Sequence, residues 1–236
     1  MAWMNTLYRT YEANARMAGL PVEGVPLSLV AHMTANAQVE VWVDSSGNFC
    51  GADTMGKGEG KTIIPVTEAS ASRSSGDAPH ALCDTLSYVA GDFGQYLTDQ
   101  KAADKSNVKF KKYLDALKSW AQSPDTHPKV QAIYAYAAKA QMTRVLIESG
   151  ILEAADGKLL NKKISGAAYE KVLVRFRVMG SQPDAVWQDS SLFASHIRRY
   201  AASQRETKDI CYLAGKPETT PTNQPKGIVA ANSGAK

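Results

Sequence analysis

The chain has 236 residues, 44% apolar and 21% charged, the make-up of an ordinary soluble globular protein long enough to bury its own core. Three widely separated cysteines, Cys50, Cys83 and Cys211, exclude a complete disulfide framework, and no apolar run approaches the ~18 residues needed to span a bilayer. The net charge of +4 conceals a division: residues 1–100 carry 5 Lys+Arg against 11 Asp+Glu, and residues 101–236 carry 22 against 12, so the basic part suggests an anionic partner such as nucleic acid.

Residues 2–18 are expected to form a short amphipathic helix, with Trp3, Leu7, Tyr8, Tyr11 and Ala15 recurring at three and four. Gly19, Pro21, Gly24 and Pro26 then break the chain. In Ala37–Asp44 the alternation sets Val39, Val41 and Val43 on one face and Gln38, Glu40 and Trp42 on the other. A turn at Ser45-Ser46-Gly47-Asn48 predicts a partner strand over Asn48–Asp53, and Pro26–Thr34 and Thr62–Val66 complete a small antiparallel sheet. Residues 67–80, rich in Ser, Gly and Ala, are expected to lie as a surface loop.

From about residue 81 the period becomes helical. Phe110, Tyr113, Leu114, Leu117, Trp120 and Ala121 form one stripe, and Lys105, Lys109 and Lys112 lie on another face. A second helix begins at Pro128 and carries Val130, Ile133, Tyr134, Ala137 and Met142. Lys171–Met179 alternates as a strand, with Val172, Val174, Phe176 and Val178 against Leu173, Arg175 and Arg177. A last helix over Ser190–Ser203, capped by Asp189 or Ser190, buries Phe193, Ile197 and Tyr200 and exposes Arg198 and Arg199. The segment Lys208–Pro217 is expected as a hairpin followed by a glycine-bearing tail. The fold class is α+β: a sheet-rich part over 1–100, a helix-rich basic part over 101–205, and a hairpin and tail over 206–236.

The search for chemistry ends without an active site. Gly60-Lys61-Thr62 matches the end of a P-loop, but the first glycine would fall on Met55, and the strand-like Ile63-Ile64-Pro65-Val66 follows where a helix is required. His32, His80, His127 and His196 have no metal-ligand spacing, no G-x-S-x-G elbow occurs, and Asp184 and Asp189 lie near a helix start. The protein is expected to be non-enzymatic, without metal or cofactor. The N-terminal Met1-Ala2-Trp3-Met4-Asn5 has no basic region followed by an apolar stretch, so a cytoplasmic protein with mostly buried, reduced thiols is expected.

Two polar, glycine-bearing segments precede firm structure: Arg73-Ser74-Ser75-Gly76 through Pro79-His80-Ala81-Leu82-Cys83-Asp84 to Tyr88-Val89-Ala90-Gly91, and Cys211-Tyr212-Leu213-Ala214-Gly215 through Ser233-Gly234-Ala235. Together with Leu7, Tyr8 and Tyr11, Val174-Arg175-Phe176-Arg177-Val178 and Trp187-Gln188-Asp189, their order resembles the N-terminal portion of the large subunit of type I-C CRISPR surveillance complexes (Cascade). The resemblance implies a further, helical C-terminal region beyond Lys236. It also implies a subunit that inspects target double-stranded DNA for the protospacer-adjacent motif (PAM), aids strand opening and recruits a helicase–nuclease. Its other partners would be the guide-RNA-bearing Cascade subunits, with no membrane involved. On this reading Lys105, Lys109, Lys112, Arg175, Arg177, Arg198 and Arg199 hold phosphates, and the Arg73–His80 loop, through Arg73, Ser74, Ser75, Gly76 and His80, supplies sequence preference. The alternative is an assembly module that mainly contacts protein subunits and the guide-RNA handle.

Overall fold

The structure is a computed structural model that describes residues 2–19, 27–71, 73, 77–204, 208–211, 215 and 217–219. The amphipathic N-terminal segment forms α1 (Ala2–Asn14) and a 3-10 turn over Ala15–Met17. The alternating segment is β2 (Val39–Val43). It pairs antiparallel with β3 (Phe49–Thr54) across the expected turn, in which Asp44 accepts from the Ser46 and Asn48 backbone amides. The flanking strands β1 (His32–Asn36) and β4 (Lys61–Pro65) pair with each other in a separate antiparallel ribbon, His32 opposite Pro65.

The sheet is completed from the far end of the sequence. β9 (Val174–Val178) lies parallel to β2, Val39 opposite Val174 and Val43 opposite Val178, giving the order β3-β2-β9. A parallel pair needs a crossover, and here the crossover contains the helices α2 (Glu68–Ala71), α3 (Leu86–Val89), α4 (Gln100–Ala121), α5 (Pro128–Ala137) and α6 (Met142–Glu148), followed by two small hairpins. The acidic sheet-rich part and the basic helical part are therefore built on one core. Val39, Val41, Val43, Val174, Phe176 and Val178 present one buried face, and Tyr136 of α5 packs between Phe49 and Phe176.

The stripe on α4 is realised by Tyr113, Leu117 and Trp120, all fully buried. Tyr113 donates from its hydroxyl to the Leu82 carbonyl (2.8 Å) and the Trp120 indole N–H to Ser195 Oγ (3.0 Å), so α4 joins the segment after the loop to the last helix, α7 (Ser190–Ser203). Asp189 caps α7 through the Ser191 and Leu192 amides, as expected. Met142 does not continue α5. A positive φ at Ala140 ends that helix turn, and α6 starts afresh, its first amides at Thr143 and Arg144 held by the Asp92 carboxylate. The hairpins β5 (Ala154–Ala155) with β6 (Lys158–Leu159) and β7 (Lys163–Ile164) with β8 (Ala167–Ala168) turn on Asp156-Gly157 and Ser165-Gly166, residue pairs with positive φ at both positions. The expected terminal hairpin is present as β10 (Lys208–Ile210) paired with β11 (Pro217–Thr219).

Within the expected surface loop over 67–80, the described residues 67–71 are more structured than a loop. Thr67 and Ser70 cap α2 reciprocally, Ser70 is 1% exposed, and the chain is tied to α7 by the Glu68 amide donating to the Tyr200 hydroxyl. Among the described residues no helix is long and apolar enough to cross a membrane. Cys83 is buried, its thiol pushed up to about 12 by loss of solvent, whereas Cys50 is exposed and departs from the expectation of buried thiols.

Candidate nucleic-acid interface

Asp84 organises the loop. Its side chain is fully buried and receives four donors: Arg73 Nη1 on Oδ2 (2.7 Å), Arg73 Nη2 on Oδ1 (2.5 Å), the His80 amide on Oδ2 (2.8 Å) and its neighbour Thr85's amide on Oδ1 (2.7 Å). The carboxylate is thus the hub of a bidentate ion pair whose geometry fixes the guanidinium in plane. Arg73 also donates to the Ala78 carbonyl, closing the loop on its own base, and its guanidinium carbon lies 4.4 Å from the centre of the Tyr88 ring. The Val174 amide donates to the Asp84 carbonyl and Thr85 bridges to Leu173, so the whole assembly rests on the edge of β9.

The lysine face of α4 is brought against this loop. Lys109 Nζ lies 4.8 Å from the Tyr88 ring centre and 3.4 Å from Ser87 Oγ, and Lys112 Nζ is 3.4 Å from Asp77 Oδ2 at the loop's far end. Lys105 and Lys112 are exposed and Lys109 is half-buried. Burial, followed by the charges of Lys105 and Arg73, holds the Lys109 ammonium below its ordinary pKa despite the carboxylates of Asp77 and Asp84. The close seat of α4 depends on Gly91, where a Cβ would come within 2.5 Å of the Phe110 ring.

The other sequence-predicted residues divide. Ser74, Ser75 and Gly76 lie outside the described residues. His80 is 8% exposed, its ring neutral because burial lowers its pKa to about 4, so it lies under the loop rather than on its edge. Arg175 is corrected from a phosphate ligand to an internal support, and Arg177, partly exposed, is engaged by two carboxylates. Glu40 Oε2 accepts from Arg175 Nε (2.8 Å), Glu40 Oε1 from Arg177 Nε (2.9 Å) and the Trp42 indole, and Arg177 continues to Asp184 (2.6 Å). Arg175 has its guanidinium 3.7 Å from the Trp187 ring centre, is 6% exposed and also donates to the Glu59 and Lys61 carbonyls. Alternation correctly placed both arginines opposite the core, but Glu40 on the adjacent strand and Trp187 cover that face. Arg198 is exposed beside Asp125 (3.0 Å). Arg199 is half-buried over Trp120, its charge disfavoured by burial.

Sequence reasoning missed Lys129, a buried ammonium paired with Asp189 Oδ2 (2.5 Å) and bonded to the Pro183 carbonyl. It also missed Asp84 as the hub and Tyr88 as the platform beneath Arg73 and Lys109. For Gly60-Lys61-Thr62 the structure gives a strand start. Gly60 lies so close to β2's approach that a Cβ would meet the Ala37 carbonyl oxygen at 2.1 Å, and Lys61 opens β4 where a P-loop requires a helix. Among the described residues, no three His, Cys, Asp or Glu side chains are grouped to hold a metal ion.

Compared with known families, residues 7–236 match the model described as CRISPR-associated protein (Cas_Csd1). No curated protein matches the chain.

Proposed function

Because the chain belongs to the CRISPR-associated Csd1 family, and is thereby a Cascade subunit, we propose that it is the non-catalytic part that reads the PAM of target double-stranded DNA. The observation that carries this reading is the juxtaposition of Arg73, Asp77 and Tyr88 with Lys109 and Lys112 of α4, on a frame locked by Asp84. Two segments 30 residues apart, one polar and one basic, meet on a single surface. Lys105, Lys109 and Lys112 hold phosphates and give sequence-independent affinity. Preference comes from Ser74, Ser75 and Gly76, whose hydroxyls and backbone amides suit contacts with base edges. Arg73 acts as a positioning residue, its charge balanced by Asp84.

Once the duplex is docked, the same subunit aids strand opening beside the guide-RNA-bearing subunits and offers a surface to the helicase–nuclease that cuts. The α1 face, with Trp3 65% and Leu7 57% exposed, favours a contact with another protein of the complex and so supports an assembly role alongside DNA reading. The test is the affinity of the assembled complex for PAM-bearing and PAM-free duplexes. Lys109→Gln with Lys112→Gln should weaken both alike, while Gly76→Val should narrow the gap between them. An unchanged gap and unchanged affinities would assign this surface to assembly alone.

A further inference from the structure

The two carboxylates beside the lysine face are held in opposite ways. Asp84 is buried and saturated by its four donors. Asp77 keeps 32% of its side chain exposed, and Lys112 opposite it keeps 50%. Their contact is one long bond, Lys112 Nζ to Asp77 Oδ2 at 3.4 Å. An exposed pair of that kind contributes little to stability, so the fold does not require it. The Asp77 charge also reaches the neighbouring lysine. Burial and then Lys105 lower the Lys109 pKa, and Asp77 is the stronger of the two carboxylates that raise it again. Asp77 therefore stands against both lysines at once, directly after Gly76 in the chain.

We infer that Asp77 is a built-in electrostatic brake on the lysine face. It engages Lys112 in the free protein and repels the phosphate that would replace it, holding down affinity for duplex DNA of any sequence. The inference rests on the DNA-reading proposal and deepens it. A phosphate that takes Lys112 at a charge-assisted distance of about 2.8 Å, while Asp77 keeps its place, brings two anions within about 6 Å of each other. At that separation on a solvated surface, the repulsion of unit charges amounts to a factor of roughly 3–10 in affinity. Phosphate contacts carry no sequence information and hold every duplex alike. The brake lowers both affinities by the same factor, so a duplex without the motif is released quickly, while contacts from Ser74, Ser75 and Gly76 retain one that bears it.

The experiment measures the affinity of the assembled complex for short PAM-bearing and PAM-free duplexes between about 50 and 200 mM salt. Asp77→Asn keeps the shape and removes the charge. It should tighten both duplexes by the same factor of roughly 3–10 at the lower salt, and by less at the higher. The slope of log affinity against log salt should steepen by up to about 0.9. Asp77→Glu, which keeps the charge, should not show the gain. The melting temperature of Asp77→Asn should stay within about 2 °C of wild type, as for an exposed pair. With Lys109→Gln and Lys112→Gln also present the gain should disappear, because no phosphate is then held beside Asp77. Equal affinities of wild type and Asp77→Asn at low salt would overturn the inference. A loss confined to the PAM-bearing duplex would overturn it too, by making Asp77 a base contact. The lysine variants taken alone separate the two readings. If they weaken both duplexes and Asp77→Asn brings no gain, only the brake fails; if they weaken neither, the DNA-reading proposal fails and the brake with it.

Discussion

Replacing Asp84 by Asn perturbs the hub of the proposed reading surface while keeping its shape. The carboxylate accepts four hydrogen bonds, two of them from Arg73, and its side chain has no solvent contact. An amide retains one oxygen, so two of the four donors lose their acceptor, and the Arg73 charge loses its counter-ion. Removing one member of a buried ion pair costs about 3–5 kcal/mol. Because the Arg73 side chain keeps 17% exposure and the Asn oxygen keeps part of the bonding, about 2–4 kcal/mol is expected here. For a chain of this length that is a fall of roughly 4–16 °C in melting temperature. Differential scanning calorimetry of the full chain reads it directly, and PAM preference of the complex should fall in parallel because the loop loses its anchor. A melting point within about 2 °C of wild type would refute the assignment of Asp84 as the hub.

Other consequences follow from the same geometry. Glu40→Gln should destabilise by about 3 kcal/mol, since it leaves Arg175 and Arg177 short of a counter-ion, yet the salt dependence of DNA affinity should stay unchanged; a flatter salt dependence would return these arginines to the DNA surface. His32, His80 and His196 are buried and neutral, with pKa values lowered to about 4, 4 and 3 by burial. Depressed histidines contribute fully above the unfolded value of 6.5 and lose that contribution as pH falls toward the folded values. Stability should therefore decline below pH 6.5, by up to ~1.4 kcal/mol per pH unit per histidine, and a flat melting curve between pH 6.5 and 5 would contradict their burial. Arg198→Ala should lower the slope of log affinity against log salt by about 0.9 if it holds a phosphate, whereas the half-buried Arg199→Ala should chiefly lower the melting temperature; the reverse pattern would exchange their roles.

Much of the fold is legible in the sequence where one period dominates. The valines of β2, the Tyr113–Leu117–Trp120 stripe, Pro128 at a helix start and the Asp189 cap are local signals, and each is realised. What was not legible is non-local. Nothing near Val174 reveals that it pairs in parallel with Val39, so the mixed sheet and the single core joining the acidic and basic parts emerge only in three dimensions. The same limit moved Arg175 from surface to interior and tied Arg177 to a carboxylate, because their partner Glu40 lies 135 and 137 residues away in the chain. Asp156-Gly157 and Ser165-Gly166 are a different kind of omission: such pairs favour the turns of tight hairpins, and the signal was present. For the candidate site, the loop and the lysine face were each visible, but their meeting through Tyr88 and Asp77 was not.

The DNA-reading proposal requires that Asp77 and the α4 lysines lie against target DNA in the assembled complex. A photo-crosslinking side chain placed at Lys112, beside Asp77 and exposed, tests it most directly. The account predicts crosslinks to the PAM-proximal duplex, stronger on PAM-bearing than on PAM-free targets and lost at high salt. Crosslinks confined to the guide RNA or to a neighbouring protein subunit, with none to duplex DNA, would contradict it.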